Sequence, residues 1–281
     1  MSGFRSVERT VTTETVLLPT GPSLEYALDG PPGAPVVCFV HGLGAAMHQF
    51  RSQSEYFAAT YRVLRLSHRG HGGSGAPVSR DPDAYTPRVL ADDVRALLAH
   101  LGINELHFVG NSLGGLVGFE LLDLGQPRLL SLTTFGTTAE LHSSKLRYWT
   151  LVGTIRLLGL LSGSKGLATL LEKTATRDPA VGKELKEMFL RARQDALSLI
   201  TRNIADYDYT PVLRRAAIPL LLIRGELDKD INAALSSTLA ALAGLPHARV
   251  VPMAGAGHFA NMEQPSEFNR ILESFLSEID D

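Results

Sequence analysis

Residues 108–116 read FVGNSLGGL. An apolar run, Leu106 to Val109, stops at Gly110-Asn111-Ser112-Leu113-Gly114, and a helical pattern follows from Leu113. A hydroxyl set among glycines at that junction admits three readings: a loop, a phosphate cradle, or a nucleophile held on a sharp turn. The third accounts for the glycines. A turn this tight forces the serine into a strained backbone conformation, and side chains at 110 and 114 would collide across it. The segment fits Gly-x-Ser-x-Gly, which between a strand and a helix lifts the hydroxyl above the carboxyl edge of a sheet.

The sheet is legible on either side of the turn. Continuous apolar runs suited to strands buried on both faces occur at Val36 to Val40, Val63 to Leu66, Leu106 to Val109, Leu129 to Phe135, Ile218 to Ile223 and Ala248 to Pro252. Helical spacing separates several of them: Ala45 to Thr60, Pro87 to Leu101, Leu113 to Leu124, Asn232 to Ala243 and Pro265 to Glu278. Alternating strands and helices predict a mostly parallel sheet with helices on both faces. Val11 to Leu18 and Leu24 to Leu28 mix polar with apolar residues, as an antiparallel edge does. Residues 137 to about 210 show helix-like stretches at Ser144 to Leu161, Lys165 to Ala175 and Val181 to Ile204, with no convincing strand. The expected organisation is a core of residues 1–136 and 211–281 carrying a helical cap over 137–210.

Two further glycine sites test the phosphate alternative. Gly70-His71-Gly72-Gly73-Ser74-Gly75 spells a dinucleotide pattern, yet Ala76-Pro77 and Asp81-Pro82 follow where a helix N-terminus is needed to hold a pyrophosphate. It is expected to be a mobile loop at the site mouth. His41-Gly42-Leu43-Gly44 directly follows a strand, and its backbone N–H groups suit one arm of an oxyanion hole, with the N–H of Leu113 as the other.

Serine needs a base, and the base needs a carboxylate to hold its tautomer. His258 lies in the small-residue loop Ala254-Gly255-Ala256-Gly257-His258-Phe259, after the last predicted strand. Asp228, in Gly225-Glu226-Leu227-Asp228, emerges at the same sheet edge; Glu226 and Asp230 compete for the role. The order Ser112, Asp228, His258 is that of one fold in particular.

These five motifs, with Arg69-Gly70-His71-Gly72, resemble those of the α/β-hydrolase superfamily, and most closely its capped esterases and enol-lactonases. The resemblance implies an α/β-hydrolase fold: an eight-stranded, mostly parallel sheet, a cap inserted after the sixth strand, and a Ser-His-Asp triad that uses no cofactor and no metal. One departure is visible: relatives often have Asp before Arg-Gly-x-Gly, where this chain has Ser67-His68.

The expected activity is hydrolysis of a carboxylic ester or lactone through an acyl-enzyme. Gly-Asn-Ser also resembles hydrolases that cleave carbon–carbon bonds in ring-fission products, and a hydrolase-fold receptor with little turnover is a third reading. His41, Trp149 and Phe259 are expected to contact the substrate. Leu151, Leu157, Leu158, Leu160 and Leu161, near Tyr148 and Trp149, suit either an apolar substrate pocket or the seam between cap and core.

Bulk properties agree. Lys and Arg total 27 against 29 Asp and Glu, so no charge excess recruits nucleic acid or an anionic membrane. Leu151 to Leu161 is far shorter than the roughly 20 apolar residues that span a bilayer. The N-terminus lacks a signal-like apolar core, and the lone Cys38 sits in an apolar run, so a cytoplasmic location is expected. Oligomeric state is left open.

Overall fold

The computed structural model describes residues 12–19, 21–77, 81–142 and 163–280. Its strands are β1 (Glu14–Leu17), β2 (Ser23–Asp29), β3 (Val36–Val40), β4 (Arg62–Leu66), β5 (Glu105–Asn111), β6 (Arg128–Phe135), β7 (Glu140–His142), β8 (Asp206–Asp208), β9 (Leu220–Gly225) and β10 (Ala248–Met253). Eight of them form one sheet in the order β1-β2-β4-β3-β5-β6-β9-β10. β2 runs against both of its neighbours, and all pairings from β4 to β10 are parallel.

The continuous apolar runs become strands because successive side chains leave a strand on opposite faces. In β3, Val37 and Phe39 enter one apolar cluster while Cys38 and Val40 enter the other. Helices Pro87–His100 and Leu113–Leu124 close the Cys38/Val40 face with Leu90, Val94, Leu97 and Val117. Helices Arg51–Phe57 and Pro265–Asp280 close the Val37/Phe39 face with Phe57, Phe268, Leu272 and Phe275. Burying each of these side chains contributes ~1.5–3 kcal/mol before conformational entropy is set against it.

Register decides where the chemistry falls. Val40 pairs with Leu66 and Gly110, Asn111 with Phe135, Phe135 with Ile223, and Gly225 with Met253. The carboxyl ends of β3, β4, β5, β6, β9 and β10 therefore share one edge, and the loops bearing His41, Ser67, Ser112, Asp228 and His258 all leave from it.

Between β6 and β9 the chain departs from the sheet. Only helices were expected there, but β7 and β8 pair antiparallel at its two ends, Glu140 opposite Asp208. Strands of three residues, ELH and DYD, are too short to produce a readable period. The expected helix from Val181 to Ile204 is two helices, Pro179–Arg191 and Gln194–Asn203, separated by extended backbone at Ala192 and Arg193. At that break the Arg193 N–H donates to Gly70 O at 2.8 Å, which fastens the segment to the glycine loop. Val181, Leu185 and Met188 of the first helix pack on Ala45, Ala46 and Phe259. The Ser144 to Leu161 stretch, with Tyr148, Trp149 and its leucines, lies outside the described residues.

Candidate active site

Ser112 sits between β5 and helix Leu113–Leu124 with φ 51° and ψ −111°, and it is the single non-glycine residue of positive φ among the described residues. Such a conformation costs ~1–3 kcal/mol and persists only when its surroundings enforce it. Here they do. The Ser112 N–H donates to Phe135 O at 3.0 Å, and its carbonyl accepts from Thr137 Oγ1 at 3.1 Å and from the Gly115 N–H at 2.9 Å. The flanking glycines are required by space: a Cβ at 110 would stand 2.4 Å from the Gly114 carbonyl, and one at 114 would stand 2.1 Å from Val40 O.

Of the three competing carboxylates, Asp228 is the one that reaches the imidazole. Its Oδ2 lies 2.8 Å from His258 Nδ1, while Oδ1 accepts from the Ile231 N–H at 3.4 Å as the cap of helix Lys229–Ala234. Glu226 and Asp230 are exposed and make no bond to His258 among the described residues. A carboxylate only accepts, so His258 carries its proton on Nδ1 and keeps Nε2 free as a base.

Ser112, Leu43, Asp228, His258 and Phe259 all line one open cavity of about 1040 Å³. The described residues contain no hydrogen bond between Ser112 Oγ and His258 Nε2; nucleophile–base bonds of this kind commonly tighten only as substrate arrives. The N–H groups of Leu43 and Leu113 find no backbone acceptor among the described residues. Leu113 opens its helix, so that N–H lies at the positive end of the helix dipole.

Two expectations change here. His41 does not face the cavity. It is fully buried, donates from Nδ1 to Gly42 O at 2.7 Å, and accepts the His68 N–H on Nε2 at 2.9 Å. With both nitrogens engaged it shapes the turn rather than touching substrate. The Gly70–Gly75 loop is likewise packed beneath the turn rather than hanging at its mouth: Gly70 N–H donates to Gly75 O at 2.8 Å, Gly73 N–H to Glu25 Oε2 at 2.8 Å, and Gly44 N–H to His71 Nε2 at 3.2 Å. Glu25 also accepts from Ser67 Oγ at 2.7 Å. A carboxylate from β2 thus reaches Ser67, at the carboxyl end of β4. Phe259 lines the cavity while packing under helix Pro179–Arg191, and Trp149 lies outside the described residues.

Sequence reasoning missed a group of buried amides behind the turn, Gln49, Gln53, Asn111, Asn261 and Asn269. The readable signal was Gln49 and Gln53 four residues apart, on the helical face that also carries Phe50 and Phe57. No helix among the described residues is long and apolar enough to cross a membrane, and no group of three His, Cys, Asp or Glu there is placed to hold a metal ion.

The family model for the alpha/beta hydrolase fold matches residues 35–265, and the chain belongs to that family. Over 263 residues it is 28% identical to 3-oxoadipate enol-lactonase 2 of Acinetobacter baylyi, covering 90% of this chain and 93% of that protein. The enol-lactonase from Burkholderia xenovorans LB400 superimposes with a TM-score of 0.80 at 25% identity, covering 94% of this chain and all (100%) of that one. A hydrolase from Pseudomonas aeruginosa PA01 gives 0.78 at 26%, covering 94% and 98%.

Proposed function

We propose that this hydrolase cleaves a carboxylic ester or lactone by acyl transfer through Ser112, His258 and Asp228. The observation that carries the reading is the Asp228–His258 bond, 2.8 Å long, on the wall of the cavity that Ser112 also lines. Ser112 Oγ attacks the carbonyl carbon, and its proton passes to His258 Nε2. The developing oxyanion is bound by the N–H groups of Leu43 and Leu113, preorganised donors in a partly enclosed site. Collapse breaks the acyl C–O bond, and His258 returns the proton to the departing oxygen. Water then repeats the sequence: His258 takes its proton, hydroxide attacks the acyl carbon, and Ser112 leaves with the proton. Asp228 stays ionised throughout, fixing the tautomer and stabilising the imidazolium.

The segment between β6 and β9 acts in this reading as a cap that selects substrate. Lys173, Arg177 and Lys229 line the cavity and enter no ion pair among the described residues. Most acids on the same wall are occupied: Asp228 holds His258, Asp178 caps helix Pro179–Arg191, and Glu263 accepts the Gly257 N–H. Lys173, Arg177 and Lys229 are placed to pair with a carboxylate carried by the substrate. A relative named for a 3-oxoadipate enol-lactone agrees with the lactone form.

Nothing in the geometry favours carbon–carbon cleavage. The residue that suggested it, Asn111, spends its whole amide on protein partners: Gln49, Phe135 O and His258 O. Hydrolysis of p-nitrophenyl acetate tests the proposal. Ser112→Ala is expected to remove at least ~1,000-fold of kcat; parental turnover by that variant would overturn it.

A further inference from the structure

One carboxamide touches residues beside three parts of the proposed machinery: the oxyanion turn, the serine and the histidine loop. Gln49, 2% exposed, accepts the Gly42 N–H on Oε1 at 3.2 Å. Its Nε2 donates to Asn111 Oδ1 at 2.9 Å and to Asn261 Oδ1 at 3.2 Å. Gly42 precedes the oxyanion donor Leu43, Asn111 precedes Ser112, and Asn261 follows His258 by three residues. Asn111 closes the circuit, since its Nδ2 donates to Phe135 O and to His258 O, each at 3.1 Å. On the far side Asn261 Nδ2 donates to Gln49 O at 2.8 Å and to Gln53 Oε1 at 3.0 Å, and Gln53 Nε2 donates to Asn269 Oδ1 at 2.9 Å.

The orientation of these amides is dictated from the backbone. Gly42 N–H is a fixed donor, so it demands an oxygen from Gln49. Phe135 O and His258 O are fixed acceptors, so they demand the nitrogen of Asn111, which turns its oxygen toward Gln49. A flipped Gln49 would set two donors against each other at Gly42 and two acceptors against each other at Asn111. Both N–H groups and the oxygen of Gln49 are used, and a satisfied buried network rigidifies what it joins. Space is equally tight, because a Cβ on Gly42 would stand 2.8 Å from Asn111 Oδ1 and 3.3 Å from Ser112 Cβ.

We infer that Gln49 is a positioning residue: it holds the Leu43 donor in register with Ser112 and ties both to the loop that carries His258. The inference rests on the Ser112 reading given above. Neutral amides suit the task, because they bind three loops without placing a titrating charge behind the imidazole.

The test compares three variants on p-nitrophenyl acetate. Gln49→Leu keeps approximate volume and deletes all three bonds. Removing an oxyanion donor outright costs ~100- to 1,000-fold in kcat, so misplacing one is expected to cost about 10- to 100-fold, with KM within about twofold. Ser131→Ala is the control. It strips a buried partner, 2.8 Å away, from His107 near the opposite end of the same sheet, and is expected to lower thermal stability while leaving kcat within about twofold. Gln49→Glu supplies a second readout. It keeps an acceptor for Gly42, but when ionised it faces the oxygens of Asn111 and Asn261. Burial raises its pKa, so kcat relative to the parent is expected to fall as pH rises from about 5.5 to about 8.

A folded Gln49→Leu protein with kcat within about twofold of the parent overturns the inference, as does an equal kcat loss in Ser131→Ala. Should Gln49→Leu not fold, a pH-independent Gln49→Glu ratio near one overturns it. Ser112→Ala separates the two levels: if that variant is inactive and Gln49→Leu is not impaired, the positioning role alone fails.

Discussion

Histidines lie on both sides of the turn His41–Gly44, and their surroundings give them opposite properties. Beneath it, His41, His68 and His71 are at most 1% exposed, with ring centres 4.6, 5.2 and 6.3 Å apart. Above it, the His258 side chain is 27% exposed and paired with Asp228. Burial, reinforced by the neighbouring histidines, holds His41 well below the ordinary imidazole range; burial pulls His68 down to about 3 and His71 to about 4. These three remain neutral, and the rings of His41 and His71 make directional hydrogen bonds that hold the turn. His258 keeps one nitrogen fixed and one open to the cavity, which is what a proton shuttle requires. Residue type alone does not separate a framework histidine from a working one; access and partner do.

The sharpest way to break that contrast is to exchange the roles by mutation. His258→Ala is expected to lower kcat ~1,000- to 10,000-fold. His68→Leu, which removes a ring whose Nε2 has no partner among the described residues, is expected to stay within about threefold of the parent. Equal losses in steady-state ester hydrolysis would erase the distinction.

Asp228→Asn comes next. Asparagine can donate to Nδ1 and so drives the proton to the wrong nitrogen, and about a thousandfold loss in kcat is expected with little change in fold by circular dichroism. A variant as active as the parent would show that the pair merely caps helix Lys229–Ala234.

Acid titration sharpens the buried side. In the unfolded chain each of the three histidines titrates near its ordinary ~6.5, whereas in the folded chain they resist protonation. The unfolded state therefore binds more protons in between, and stability present at neutral pH is lost as pH falls from ~6.5 toward the depressed folded values. For His68 the window runs down to about 3. Urea midpoints for His68→Leu are expected to show an acid limb shallower by up to ~1.4 kcal/mol per pH unit. An unchanged limb would mean that His68 is not held neutral.

The smallest effect concerns the proposed cap. Lys173→Ala and Arg177→Ala are each expected to raise KM about two- to fivefold for an ester bearing a free carboxylate, because exposed charge pairs are worth ~0.2–1 kcal/mol. Neutral esters should be unaffected, and the preference should shrink as salt is added. Equal changes for both esters would remove the case for an acidic substrate.

How much of this was legible depended on the kind of signal each part leaves. β3, β5 and β9 announced themselves because burial on both faces demands unbroken apolar runs, and the serine turn because glycine is sterically compelled at 110 and 114. Asp228 was one of three acids along a single loop; only the orientation set by its helix cap separates it from Glu226 and Asp230. β7 and β8 are too short for any period. His41 misled because a histidine beside a glycine turn looks the same in sequence whether its ring points out or in. The amides at 49, 53, 111, 261 and 269 come from four parts of the chain, and nothing in a linear pattern says that they meet.

Mapping a fluorophosphonate adduct by mass spectrometry tests the central claim most directly. The account predicts a single label on Ser112, absent in Ser112→Ala and formed at least ~100-fold more slowly in His258→Ala. Ester turnover that persists with Ser112 unlabelled, or a label on another residue that abolishes activity, would contradict it.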